Sequence, residues 1–188
     1  IMKERNDEDT IVMSDIFPNV RIKEDDASVN KWSLQGSHFS YLGTGINGGT
    51  TSKGGTVQVV DDPIKDAAIA LNEIELDKQW TWFNDTFLSR TDAPQGRRKM
   101  IVNHTRWSSR DIAGRIETLL DPMTGTPMND MWYTLTMKVM DEETGEMLCE
   151  DILSRASFYK LTANMSETIM RANYFQEPLD VQGRLYTD

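Results

Sequence analysis

The stretch Gly54-Gly55-Thr56-Val57-Gln58-Val59-Val60-Asp61-Asp62-Pro63 decides how the chain is read. Val57–Val60 is a short β-branched run, and Asp61-Asp62-Pro63 ends it with turn chemistry, which predicts a buried strand. Asp62 and Pro63 then suit the cap and first position of a helix. A second run of the same kind, Lys99–Asn103, is followed by His104-Thr105-Arg106-Trp107. Between the two runs, Asn72 with Glu75 reads as a capping box. Leu76, Trp80, Phe83 and Phe87 follow at helical spacing and predict one buried aromatic face. After the second run, Ser108 or Ser109 is the expected cap of a helix whose apolar face is Ile112, Ile116, Leu119 and Leu120, stopped by Asp121-Pro122. Strand, helix, strand, helix from Val57 to Leu120 predicts a parallel α/β unit with a right-handed crossover.

In such sheets ligands sit beyond the carboxyl ends of the strands. Asp61-Asp62 and His104-Thr105-Arg106 both fall there. An apolar strand closed by two acidic residues is a Walker B arrangement: one carboxylate holds Mg²⁺, usually through water, and the other orients or deprotonates the attacking water. The bland reading of Asp62 is a helix cap. Thr105 and Arg106 suit phosphate sensing, since a hydroxyl and a guanidinium both answer phosphate charge. Arg106 equally suits an ion pair with Asp111 or Asp62. His104 and His38 have no serine or cysteine motif beside them and read as structural. Two histidines and one cysteine argue against a zinc site.

Working outward, Gly43–Gly55 holds six glycines in thirteen positions. It is not a Walker A loop, because no lysine in the chain precedes Ser or Thr; Lys53 precedes Gly54. Upstream, Lys31–Gln35 and Ser37–Leu42 alternate around Gly36 and predict a hairpin, while Ile11–Ile16 reads as a frayed helix end before Pro18. Downstream, Tyr133–Val139 and Glu146–Cys149 predict a second hairpin about Asp141–Gly145. Ser157–Gln176 reads as helix with a break near Asn164, and Pro178 and Gly183 mark an exit linker. No internal repeat is expected.

The 188 residues suffice for one domain with a core. No apolar run approaches a membrane span, and no leader pattern opens the chain. A formal net charge of −10 disfavours phosphate-backbone binding by the chain as a whole; Arg97, Arg98 and Lys99 read as a solvated turn. The lone Cys149 reads as a small buried hydrophobe in a reducing compartment. The chain opens on Ile1, with Met2 a possible start, and its motifs favour a piece of a longer protein.

Gly54-Gly55-Thr56-Val57-Gln58-Val59-Val60-Asp61-Asp62-Pro63-Ile64-Lys65 resembles the Walker B segment of the large terminase subunit of tailed bacteriophages. Thr105-Arg106-Trp107 followed by Asp111-Ile112-Ala113-Gly114-Arg115-Ile116 is similar to that family's next motif, and Ala172–Pro178 with Gly183-Arg184-Leu185-Tyr186 resembles the junction into its nuclease domain. The resemblance runs from about Ile16 onward. It implies a partial P-loop ATPase core of the additional-strand type, with a mostly parallel sheet, flanking helices and β-hairpins. Residues 1–170 would form an ATPase domain without its Walker A loop, and 171–188 a linker toward an absent nuclease domain. Asp61 would hold Mg²⁺, Asp62 would be the catalytic carboxylate, Thr105 would belong to the coupling motif with Arg106 beside it, and Lys53 would replace a nucleotide-site arginine. The expected cofactors are ATP and Mg²⁺. The expected partners are double-stranded DNA gripped by the full protein, the portal protein, the small terminase subunit and further copies in a ring, at the procapsid portal in the host cytoplasm. The chain departs from the family in Thr51-Ser52-Lys53-Gly54 before the strand and in Ser108-Ser109-Arg110 after Trp107. A degenerate or split module that only binds a partner is the alternative.

Overall fold

The computed structural model describes residues 11–37, 40–46, 48, 54–90, 99–127 and 132–178. The chain divides into two compact units, Ile1–Thr51 and Ser52–Asp188. Lys53, His38, the Arg97-Arg98 pair and the exit-linker residues from 179 onward lie outside the described residues.

In the first unit a single helical turn, α1 (Met13–Ile16), precedes a three-stranded antiparallel sheet in the order β1 (Ile22–Ala27), β2 (Lys31–Leu34), β3 (Tyr41–Leu42). The predicted hairpin corresponds to β2 and β3, with Gly36 at φ +79° in the connection. That conformation favours glycine, which has no Cβ to clash. Trp32 opposes Tyr41, and their rings stack 5.2 Å apart. β1 is absent from the sequence reading because Ile-Lys-Glu-Asp-Asp-Ala carries no strand pattern. Its acidic residues are accommodated by cross-strand bonds instead. Asp26 accepts from Lys31 and from the fully buried Ser33, and Lys31 with its hydrogen bond is the first cause that holds the Asp26 carboxyl below its ordinary range.

The second unit is mixed α/β. β4 (Val57–Asp61) and β5 (Lys99–Asn103) pair in parallel, in register from Val57 opposite Lys99 to Asp61 opposite Asn103. The chain between them forms α2 (Ala67–Ala70), α3 (Glu73–Trp82) and one π-helical turn, Phe83–Phe87. Helix α4 (Ile112–Glu117) follows β5, and α5 (Arg155–Thr162) and α6 (Glu167–Phe175) close the unit. Val60, Phe83, Ile112 and Ile116 form the central cluster, with Trp80, Trp82, Phe87 and Val102 packed against it. The predicted aromatic face of α3 is therefore the cover of the sheet.

Three local expectations change. The strands are not buried on both sides: Gln58 and Val60 point inward, whereas Val57, Val59 and Ile101 stand on the other face at 58, 52 and 50 % exposure. Asp62 and Pro63 do not start a helix. Asp62 lies at φ +42°, and the cap is Asp66, whose carboxylate accepts from the Ile69 amide at 3.0 Å. Residues 62–65 form instead a connection fastened by the buried Ile64 and by Gln79 Nε2 donating to the Pro63 carbonyl at 3.2 Å. Asn72 does cap α3, accepting from Ile74 and Glu75, but Glu75 turns to Lys78 and the reciprocal half of the box is not formed.

The π turn is a further departure from plain helical periodicity. Its i→i+5 bond runs from the Leu88 amide to the Phe83 carbonyl at 2.9 Å. It stacks Phe83 on Phe87 and leaves the Phe87 carbonyl to accept from the buried Gln58 Nε2 at 2.8 Å.

The second predicted hairpin is reduced to its turn. Asp141 N donates to the Glu146 carbonyl and Leu148 N to the Val139 carbonyl, each at 2.8 Å, around a single bridge, Met140–Met147. The ladder stops because the Val139 amide is taken by the Tyr174 carbonyl of α6, 2.7 Å away. A short repeat does exist: Leu120–Pro127 and Met140–Met147 share Asp-x-x-Thr-Gly. In both, the aspartate Oδ1 accepts the two amides that follow two and three residues on, and the glycine sits near φ +70°. The predicted break between the last helices is real, and Met147, Phe158 of α5 and Phe175 of α6 form a cluster with Tyr174. Cys149 is exposed, not buried. No helix among the described residues is long and apolar enough to cross a membrane.

Candidate functional site at the strand ends

Parallel pairing brings the two predicted strand ends together. The Asp62 amide extends the ladder by donating to the Asn103 carbonyl at 2.9 Å, and Asn103 Nδ2 donates to Asp61 Oδ1 at 2.9 Å. A groove of about 740 Å³ runs along β5. Met100–Asn103 of that strand line it, together with Asp62, Thr105 and Arg106 past the strand ends, the stretch Trp132–Met137 and Gln176. That volume falls in the range of small-molecule sites. Asp61 is not among the lining residues. It belongs to the exposed sheet face with Val57 and Val59, so only one of the two carboxylates looks into the groove.

Asp62 occupies a left-handed backbone conformation that costs an L-residue energy, though Asp tolerates it better than most. Strain of this sort persists where the surroundings over-determine it. Here the ladder bond to Asn103 on one side and the ring of Pro63 on the other leave the residue little choice. Among the described residues neither Asp61 nor Asp62 has a cationic partner within ion-pair distance. Asp62 alone offers the groove an uncompensated carboxylate, since Asp61 accepts from Asn103 and stands on the other face of the sheet. No group of three or more acidic, histidine or cysteine ligands occurs among the described residues, so water and phosphate oxygens would have to complete the shell of a divalent cation there, as Mg²⁺ prefers.

Arg106 takes the structural option. Its Nε lies 3.2 Å from Asp111 Oδ1 and its Nη1 2.8 Å from Glu117 Oε2, with the side chain 15 % exposed. Asp111 is the hub; the sequence offered it as a partner for Arg106, but not as the cap of α4. It is fully buried and caps α4 by accepting from the Gly114 amide at 2.8 Å, where a serine was expected. Its second oxygen accepts from the Ser108 amide. A carboxylate has two oxygens and can serve an amide and a guanidinium at once, which a serine hydroxyl cannot. The signal available was the spacing Asp111-x-x-Gly114, an N-cap with its N3 amide. Gly114 is required there: a Cβ would lie 2.2 Å from the Ser109 carbonyl oxygen. His104, read from the sequence as structural, is buried, its side chain 1 % exposed. Its Nδ1 is 2.7 Å from the Thr105 carbonyl, which only accepts, so the hydrogen resides on Nδ1.

Around this hub, Asp77 of α3 accepts from both Arg110 and Arg115, fastening α3 to α4. The Arg115 hydrogen bond is the main reason the Asp77 carboxyl is held below its ordinary range. Arg115 also lies over the Trp80 ring, 5.7 Å from its centroid.

A scan of the chain against protein-family models finds no match. A search of curated proteins finds no significant match.

Proposed function

We propose that this chain is part of an ATPase that drives viral DNA packaging, the large terminase subunit, and that the groove along β5 is its nucleotide side. The observation that carries the reading is that Asp62 and Thr105, just past the ends of two neighbouring parallel strands, line one groove. In this reading Asp62 accepts a hydrogen of the water that attacks the terminal phosphate. Thr105 offers its hydroxyl to the same water or phosphate. Arg106, tied to Asp111 and Glu117, stiffens the strand end, and its charge is already answered by those two carboxylates. Asp61, to which the resemblance assigns Mg²⁺, stands on the exposed sheet face and would hold the ion through water only with its carboxylate turned toward the groove. When bound, the ion neutralises charge on the phosphate oxygens. Lys53 keeps the place given to it by the resemblance. DNA, the portal, the small subunit and ring neighbours belong to the full protein, since a net charge of −10 gives the chain itself no electrostatic hold on a duplex.

The chain contains no Gly-Lys-Ser/Thr, so it lacks the oriented amides and lysine that cradle phosphates. The expected result is no magnesium-dependent ATP turnover by the 188 residues alone. Turnover should appear when a segment bearing a phosphate-binding loop is supplied, and be lost with Asp62→Asn. Turnover that survives Asp62→Asn contradicts the assignment. One observation favours the second reading, a module that only binds: the open sheet face of Val57, Val59 and Ile101 is apolar and uncovered. If a supplied loop segment binds tightly but no turnover follows, that reading holds instead.

A further inference from the structure

The peptide unit joining Thr105 to Arg106 is held from both sides by side chains. Its carbonyl accepts from His104 Nδ1 at 2.7 Å, and its N–H donates to Gln176 Oε1 at 3.1 Å. No cis bond occurs among the described residues, so this carbonyl and N–H point in opposite directions. The two bonds therefore act as opposed clamps, and the plane cannot turn without breaking both. His104 is a neighbour in sequence, whereas Gln176 is 70 residues away.

Gln176 is itself unusual. It is the C-cap of α6, at φ +60°, where glycine or asparagine is the customary choice. Its amide donates back to the Arg171 carbonyl and its Nε2 donates to the Asn173 carbonyl at 3.0 Å. That second bond fixes the side-chain amide so that Oε1 faces Arg106. A glycine here would suit the backbone better and would lose the clamp.

We infer that Gln176 is a positioning residue for Thr105: it fixes the Thr105–Arg106 peptide against helix α6, so that the strand end in the groove and α6 reorient together. The inference rests on the proposed role of Thr105 for its functional meaning, but its geometry stands without nucleotide. Movement of α6 would be transmitted to the groove through one acceptor atom, and a change at the strand end would be felt at α6.

Amide hydrogen exchange by NMR on the 188-residue chain tests this without ATP, so a failed turnover assay and a failed clamp are separate results. In the unaltered chain the Arg106 amide should be protected; an unprotected Arg106 amide overturns the inference whatever the variants do. Gln176→Met keeps length and removes the acceptor. Gln176→Gly relieves the backbone and removes the side chain. Both should speed Arg106 exchange on the order of tenfold while the α6 amides keep their protection. Arg106 protection in the Met and Gly variants equal to that of the unaltered chain contradicts the clamp.

Discussion

Two clusters of charge organise the second unit, and they differ in solvent rather than in membership. At the strand ends Asp111 collects Arg106, the Gly114 amide and the Ser108 amide, with its side chain 0 % exposed. At the far turn Glu142 and Glu177 share Arg171 and Lys138, with side chains 24 to 41 % exposed. The first cluster ties a helix start to the groove. The second ties the Asp141–Gly145 turn to α6. A buried carboxylate that loses its role leaves stranded donors, whereas an exposed ion pair returns its partners to water. Position, not the number of contacts, decides what each cluster contributes.

The sharpest way to break that contrast is Asp111→Ala. It leaves Arg106 with Glu117 as its remaining carboxylate partner, strands the Gly114 amide and uncaps α4, and should cost about 2–4 kcal/mol in denaturant unfolding. A loss near that of an ordinary surface change would mean the hub is not buried in solution. Next comes Gly114→Ala. The added carbon meets a backbone carbonyl, so the start of α4 must shift, at about 1–3 kcal/mol. Thermal unfolding compared with Gly125→Ala, where nothing crowds the new carbon but φ is positive, separates crowding from backbone strain.

Asp62→Gly should move stability in the opposite direction or not at all, by about 1 kcal/mol at most, because glycine accepts φ +42° freely. The same change should abolish turnover of a complemented motor. A strongly destabilised Asp62→Gly would show that the carboxylate is structural.

The smallest effect is the pH response of the exposed cluster. Hydrogen bonds from Arg171 to Glu142, and from Lys138 to Glu177, head the causes that hold these two carboxyls below their ordinary value of 4.5. Their stabilisation is therefore present above that pH and fades as pH falls through the lowered values. Glu142→Gln with Glu177→Gln should flatten the acid limb of a thermal-melt series slightly and leave neutral-pH stability almost unchanged. A large loss at neutral pH would contradict the contrast drawn here.

The short β-branched runs Val57–Val60 and Lys99–Asn103 were enough to locate both strands of the parallel pair, and of the residues predicted at their ends Asp62, Thr105 and Arg106 line the groove while Asp61 does not. Local chemistry also announced the Asn72 cap and the break between α5 and α6. What stayed hidden needed tertiary knowledge. β1 forms because Lys31 and Ser33 answer Asp26, not because its residues favour strands. The second hairpin loses its ladder to a helix carbonyl far along the chain. Ser108 and Ser109 look like better caps than Asp111 until a guanidinium is placed beside the carboxylate. Gln176 gives no sign in sequence, since its partner is a backbone amide.

The central claim is that the ends of β4 and β5 face one cation–nucleotide site, and replacing Mg²⁺ by paramagnetic Mn²⁺ in the presence of ATP tests it directly. Weak binding suffices, because amide broadening reports proximity. The account predicts broadening centred on Asp61, Asp62 and Asn103–Arg106 together, and its loss in Asp61→Asn. Broadening centred on the acidic turn Asp141–Glu146, or on one strand end without the other, would contradict it.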